Sequence, residues 1–246
     1  MSERDLKVAM LRKAVHIIFC AILLLPLTKV LSLIPMDIEP LQYYLSLGVI
    51  AATVNSIQVK RPLLSVEIRE RMISARKRIL EEILNLRIMK ILPLGQKVIE
   101  GIDELGDMLE KLESSFNEQI RRMERSYEKV GGYIGVTLGI IGVAFSYAMV
   151  RDYTIYGIYA LMIMDPVGAI IGIMYGRNRI PFSNATIEGA AAEFIAFTIF
   201  LVFALSIDVY RSILIALIAT VAEVFGVEDN LFIPVAVSLT TYILGI

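Results

Sequence analysis

Apolar runs of about 20 residues, the length a helix needs to cross a hydrocarbon core about 30 Å thick, recur along this chain between short polar breaks. The first runs from Ala14 to Ile34, with Pro26 as an expected kink; the second, Leu41 to Val59, follows a turn over Pro35 to Pro40. Val130 to Val150 is a third, and a break at Arg151-Asp152 leads into a fourth, about Tyr153 to Tyr175. A fifth covers about Glu188 to Ile207, and two shorter runs cover Tyr210 to about Gly226 and Leu231 to Ile246. The expected fold is therefore all-α, a polytopic membrane protein with about seven spans.

Between the second and third runs the pattern changes. Ile68, Met72, Ala75 and Ile79, then Ile102, Leu105, Leu109, Leu112, Phe116, Ile120 and Met123, recur at three- and four-residue spacing, the signature of amphipathic helices. Pro93-Leu94-Gly95 interrupts them, and two arms of roughly 31 and 34 residues at 1.5 Å each would reach about 45 to 50 Å. Nearly equal arms predict an antiparallel hairpin that leaves the membrane and returns; the alternative lays both helices flat on the lipid surface. The expected organisation is a two-helix segment over 1–59, the hairpin over 60–129, and a five-helix segment over 130–246. The hairpin also offers a face through which copies of the chain could pair.

Composition agrees with the pattern: apolar residues make up 57% of the 246, and mean hydropathy is +0.68. A soluble domain of this size could not bury that much apolar surface, so the lipid bilayer is the expected partner. Formal charge is −1, and no nucleic-acid partner is expected. The one cysteine, Cys20, lies in an apolar run and excludes an intrachain disulfide or a cysteine metal cluster. Met1 to Lys13 resembles the start of a signal peptide, but the apolar run continues to Ile34 with no small-x-small cleavage site, so it reads as a retained span.

Charge is unevenly distributed, and its distribution orients the chain. Seven spans with the 60–129 segment in the cytoplasm leave Lys29, Arg151 and Arg211 outside and the other 21 of the 24 Lys and Arg inside. The N-terminus and the loops after the fourth and sixth runs are then cytoplasmic.

Chemistry-bearing residues gather at that inner boundary. Asp165-Pro166 lies within the fourth run, where a carboxylate is costly unless it faces the bundle interior or a water-filled cavity. At 100° per residue, Asp165, Gly172 and Gly176 fall within about 20° of one another and Gly168 about 60° away. This strip either packs a neighbouring helix or admits phosphates to bare backbone; Gly135 and Gly139 on the third run read as packing. Asp165-Pro166 can also mark a helix break. In the next loop Arg177 and Arg179 offer planar donor forks suited to phosphate, or anchor the loop at the membrane. Thr186 or Asn184 is the expected cap of the fifth helix, whose N-terminus favours anions, and Glu188 there is a capping acid or a magnesium ligand.

Glu223 near the end of the sixth run, followed by Glu228-Asp229-Asn230, adds acids at a boundary that ordinarily favours positive charge. Hard oxygens of this kind suit magnesium held between protein and phosphate. Arg12, Lys13 and His16 share one side of the first helix. Acids, arginines and glycine backbone at one depth describe a site for a magnesium nucleotide and an amphipathic acceptor.

Arg12-Lys13-Ala14-Val15-His16, Asp165-Pro166 with its glycines, Thr186-Ile187-Glu188-Gly189, and Glu223 followed by Asp229-Asn230-Leu231 and Pro234 occur in an order and spacing that resembles the family of dolichol kinases, phytol kinases and CTP-dependent diacylglycerol kinases. The resemblance covers the first span and most of Glu124 to Pro234 and misses most of the hairpin. It implies transfer of the γ-phosphoryl group of CTP to a lipid alcohol, with magnesium. A long isoprenoid alcohol such as a polyprenol, dolichol or geranylgeraniol is the expected substrate. Members often carry a lysine before the Thr-x-Glu-Gly tetrad, where this chain has Ala185; Arg177 or Arg179 would neutralise the phosphates instead.

Under this resemblance the nucleotide is expected at Arg12, Lys13, Gly168, Gly172, Gly176, Arg177, Arg179, Thr186, Gly189 and Asn230. Asp165, Glu188, Glu223 and Asp229 are the expected magnesium ligands, with Asp165, Asp229 and Glu223 at the reacting groups and Asp165 or Asp229 taking the hydroxyl proton. Two other classes use the same residues. A cytidylyltransferase making a CDP-activated lipid would release pyrophosphate where a kinase releases CDP. An ion or proton transporter would use Asp165, Glu188, Glu193 and Glu223 as a relay.

Overall fold

The computed structural model describes residues 3–28, 30, 38–60, 74, 75, 78, 134–183 and 185–246, and among them the chain is all-helical, with seven α-helices and no strand. These are α1 (Glu3–Leu24), α2 (Pro40–Lys60), α3 (Ile134–Val150), α4 (Thr154–Tyr175), α5 (Ile187–Phe203), α6 (Val209–Phe225) and α7 (Asp229–Ile243). Short 3-10 turns at Leu25–Leu27 and Arg151–Tyr153 follow α1 and α3. Two stretches, Leu6–Leu27 and Ile134–Tyr175, are long and apolar enough to cross a membrane.

From α2 onward each helix begins and ends within four residues of its expected apolar run. α1 differs: it starts at Glu3, so Lys7, Arg12 and Lys13 belong to the same helix as the apolar residues after them. Hydropathy reports where a segment turns apolar, whereas helicity continues through any run of good helix formers. α1 ends at Leu24 because Pro26, in the following turn, has no N–H to continue the ladder. Of the segment expected to form a hairpin, Lys60, Ser74, Ala75 and Arg78 are described and helical; the rest of the hairpin lies outside the described residues.

The chain divides into two units: Met1–Thr53 with Tyr133–Ile246, and Val54–Gly132. In the first, α4 is central and packs against α1, α5 and α7; α3 packs on α7, and α6 lies against α5 and α7. Buried Leu161, Met164, Phe197, Ile215, Ala219, Ile233 and Val237 form its core. Tyr44 joins α2 to α1 by donating to Leu23 O at 2.9 Å.

Glycine makes the closest approaches. A Cβ on Gly157 of α4 would sit 2.5 Å from Pro234 O and 2.5 Å from Ser238 Oγ of α7. A Cβ on Gly142 of α3 would sit 2.9 Å from Leu231 O. Gly139 admits Phe19, and Gly135 admits Asn230, as expected of packing glycines.

The outer faces are apolar over long stretches: Ile18 on α1, Val49 on α2, Phe145 on α3, Ile199 on α5 and Val221 on α6 are all exposed. The interior holds buried charge, namely Lys13, Asp165 and Glu193. An apolar exterior around buried ionisable groups reverses the arrangement a water-soluble bundle requires.

Candidate functional site

Toward one end of the bundle, from the middle of α1 and α4 outward, ionisable side chains from five helices come together. The chain reverses direction so that the start of α1, the end of α4, the start of α5, the end of α6 and the start of α7 share this end. Gly176 meets Thr186 across the α4–α5 junction, Gly226 meets Phe232 across the α6–α7 junction, and Lys13 meets Asp165 between α1 and α4.

Asp165 anchors the α1 side. Its Oδ1 accepts from Lys13 Nζ, and its Oδ2 lies 3.4 Å from His16 Nε2. His16 Nε2 is also 3.2 Å from Leu161 O and 3.5 Å from Cys20 Sγ. Both oxygens are acceptors, so either contact is a hydrogen bond when Nε2 carries the proton. The side chains of Lys13 and Asp165 are each 11% exposed. Leaving either without the other would strand a charge away from water. Arg12, on the same turn of α1, has a buried Nε with no hydrogen-bond partner.

The glycine strip is occupied by α5. A Cβ on Gly172 would come 3.1 Å from Thr186 Oγ1, one on Gly176 2.7 Å from Thr186 Cγ2, and one on Gly189 2.8 Å from Gly168 O. Gly168, Gly172, Gly176, Gly189 and Thr186 therefore form a helix–helix seam, the packing alternative for this strip. Asp165 turns instead towards α1, so the acid and the glycines, which helical rotation groups together, serve different neighbours.

Thr186 is the N-cap of α5, its Oγ1 accepting from Gly189 N at 3.1 Å. Asn184 lies outside the described residues. The loop before α5 is pinned by Ile187 N donating to Asn178 O at 2.8 Å and by an isolated bridge between Arg179 and Thr186. Glu188 accepts from Asn178 Nδ2 at 2.9 Å and from Asn178 N at 3.3 Å, which ties it to the loop that carries exposed Arg177 and Arg179.

Of the expected ligands Asp165, Glu188, Glu223 and Asp229, Glu188 is the one engaged with Asn178. Among the described residues no group of three or more His, Cys, Asp or Glu is arranged to hold a metal by itself. Glu223 faces Glu193 of α5. Both carboxyl groups lie beside Gly168 of α4, where a Cβ would meet Glu193 Oε2 and lie 3.4 Å from Glu223 Oε1. Glu193 was legible from its place one turn beyond Gly189, on the face that meets α4.

Asp229 opens α7, where its Oδ1 accepts from Asn230 N at 2.7 Å, and Asn230 packs against Gly135 and Gly139. Chemically, the site combines a buried lysine, a half-buried arginine, an acid pair and a partly exposed acid at a helix N-terminus. Such a set can bind a phosphate chain and a hard cation and can take up a proton. Comparison with protein-family models, with curated proteins and with solved structures returned no match.

Proposed function

We propose that this protein is an integral membrane lipid-alcohol kinase that transfers the γ-phosphoryl group of CTP to a long isoprenoid alcohol. The observation that carries the reading is the gathering of Lys13 and Asp165, from the middle of α1 and α4, with Glu193, Glu223 and Asp229 of α5, α6 and α7, toward one end of a bundle whose core is mostly apolar. Ionisable groups inside an apolar bundle are expensive and persist where a function uses them. Donor and acceptor follow from the resemblance of Arg12 to His16, Asp165-Pro166, Thr186 to Gly189 and Glu223 to Pro234 to the CTP-dependent lipid kinases.

In this reading all seven helices cross the bilayer, and the charged end faces the cytoplasm, the side that holds most Lys and Arg. Arg177 and Arg179, exposed on the pinned loop, take the outer phosphates, and Arg12 and Lys13 meet the triphosphate from α1. Asp165 holds Lys13 in position. The buried carboxylate oxygens of Glu193 and Glu223 that lack donors fit a hard cation, and magnesium, when bound, neutralises charge on the phosphates.

The lipid hydroxyl oxygen attacks the γ-phosphorus, the bond from that phosphorus to the β–γ bridging oxygen breaks, and CDP leaves. Asp165 is committed to Lys13 and His16, so Asp229 is the carboxylate left to take the hydroxyl proton. The products are a lipid monophosphate and CDP.

The test is purified protein in lipid with magnesium, a panel of isoprenoid alcohols, and CTP labelled separately in the γ-phosphate and in the cytidine. Label from the γ-phosphate appears in the lipid, and the cytidine leaves as CDP. Release of pyrophosphate with cytidine on the lipid would make the chain a cytidylyltransferase. No transfer to any alcohol by folded protein would overturn the proposal.

A further inference from the structure

A fully exposed phenylalanine stands at the tip of the loop between α4 and α5. Arg179 and Thr186 face each other in an isolated bridge, Ile180 N donates to Ala185 O at 3.0 Å, and Ser183 N donates to Ile180 O at 3.2 Å. Residues 180–183 are therefore a β-turn closing a short hairpin. Pro181 sets φ at about −65° in the second position of the turn, and Phe182 in the third has φ +63°, which makes the turn type II. That third position favours Gly or Asn, because a Cβ crowds the backbone there. Phe182 occupies it while 105% exposed. A large apolar ring is thus held away from the protein on a backbone that glycine would adopt more easily, which is unfavourable on both counts unless the ring meets an apolar surface.

The flanks of the hairpin identify that surface. Met174 and Tyr175 at the end of α4 are exposed, and so is Ile187 at the start of α5, so the apolar exterior reaches the base of the hairpin on both helices. Arg177 and Arg179 are exposed between the end of α4 and the tip. Apolar helix ends, arginines and an aromatic ring meet where the hydrocarbon of a membrane gives way to its headgroups. There, arginine stems lie along apolar surface with the guanidinium at phosphate depth, and aromatic rings sit in the boundary. A nucleobase would stack on one face of the Phe182 ring and leave the other in water, whereas a lipid boundary covers both.

We infer that the 180–183 turn is a membrane-surface anchor that seats Phe182 among phospholipid acyl chains just below the headgroups. The anchor holds Arg177 and Arg179 at the depth of the lipid phosphates. The seat of Phe182 depends on a membrane-embedded bundle and not on the kinase chemistry.

The native chain has no tryptophan, so Phe182→Trp supplies a single fluorophore at the tip. The full chain is reconstituted, without nucleotide, in vesicles of phosphatidylcholine that is either plain or brominated near the top of its acyl chains. A ring seated about 5 to 10 Å below the boundary is expected to lose about half of its emission to the bromines and to resist acrylamide dissolved in the water. Ile199→Trp, on the exposed apolar side of α5, is the control. Quenching by bromine of Ile199→Trp but not of Phe182→Trp overturns the inference; quenching of neither overturns the membrane-embedded bundle as well. Phe182→Trp emission that is open to acrylamide, untouched by bromine and shielded by CTP with magnesium would give the ring to a nucleobase, and also overturns it. Helical circular dichroism and elution volume establish that each variant is folded. If Phe182→Trp does not fold, Phe182→Cys in a Cys20→Ala background, carrying a nitroxide whose relaxation is read with oxygen against a water-soluble nickel chelate, decides.

Discussion

Both ends of the helical bundle carry ion pairs, but the pairs differ in what surrounds them. At one end Arg151 Nη1 meets Glu39 Oε1 at 2.9 Å with side chains 65% and 51% exposed, and Arg211 meets Asp208 at 3.2 Å, also in the open. Aromatic rings cluster here: Tyr153 on Tyr242, Tyr44 on Tyr147, and Arg151 over the Tyr147 ring at 5.6 Å. Tyrosines and open charge are what a membrane–water boundary favours, and screened pairs of this sort add little to stability.

At the opposite end Lys13 and Asp165 are enclosed, and Glu193 and Glu223 keep carboxylate oxygens with no donor at all. Burial without full pairing has no packing advantage, since well-packed apolar residues would hold the helices as well or better. Under the kinase reading the enclosed charges are held for what they bind, and the open ones follow from where they sit.

The largest expected effects break this contrast at the enclosed end. Asp165→Asn leaves Lys13 without its counter-charge and should lower phosphoryl transfer by about a thousandfold or more. It should also cost about 3 to 5 kcal/mol in stability, so transfer and unfolding are measured on the same preparation. Chelation of divalent ions by EDTA should abolish transfer reversibly, with activity returning on addition of magnesium. Gly157→Val, which forces side-chain atoms onto Pro234 O, should destabilise by about 1 to 3 kcal/mol, read as a lower midpoint in denaturant.

Removing Arg177 and Arg179 together by substitution with Gln should raise KM for CTP about tenfold, with a smaller effect on kcat. The smallest effect belongs to the open end. Arg151→Gln should leave transfer unchanged and the melting temperature close to native; a loss of transfer there would erase the distinction between the two ends.

Much of the fold was legible because apolar runs and their breakers coincide. Pro40, Gly176, Asp208 and Gly226 stand at helix ends, Asp208 capping α6 through Tyr210 N and Arg211 N. The start of α1 was not legible from hydropathy, because its first turns are polar yet helical. Within the site, the ionisable residues of α1, α4, α6 and α7 were legible as carboxylates and cations at one depth. What a single helix could not disclose was partnership. Counting 100° steps places Asp165 with Gly172 and Gly176, but which neighbour each faces depends on helices far away in the chain. Glu188 and Glu193 are both acids on α5, but one meets Asn178 in the preceding loop and the other lies against Gly168 of α4.

The account stands or falls on whether the loops at the charged end share one face of the membrane. In a Cys20→Ala background, single substitutions Arg177→Cys, Val227→Cys and Asp152→Cys place thiols at exposed positions on the α4–α5 loop, the α6–α7 loop and the opposite end. With a membrane-impermeant maleimide on inside-out vesicles, the first two label and the third does not. Labelling of Arg177→Cys and Val227→Cys from opposite faces would contradict it.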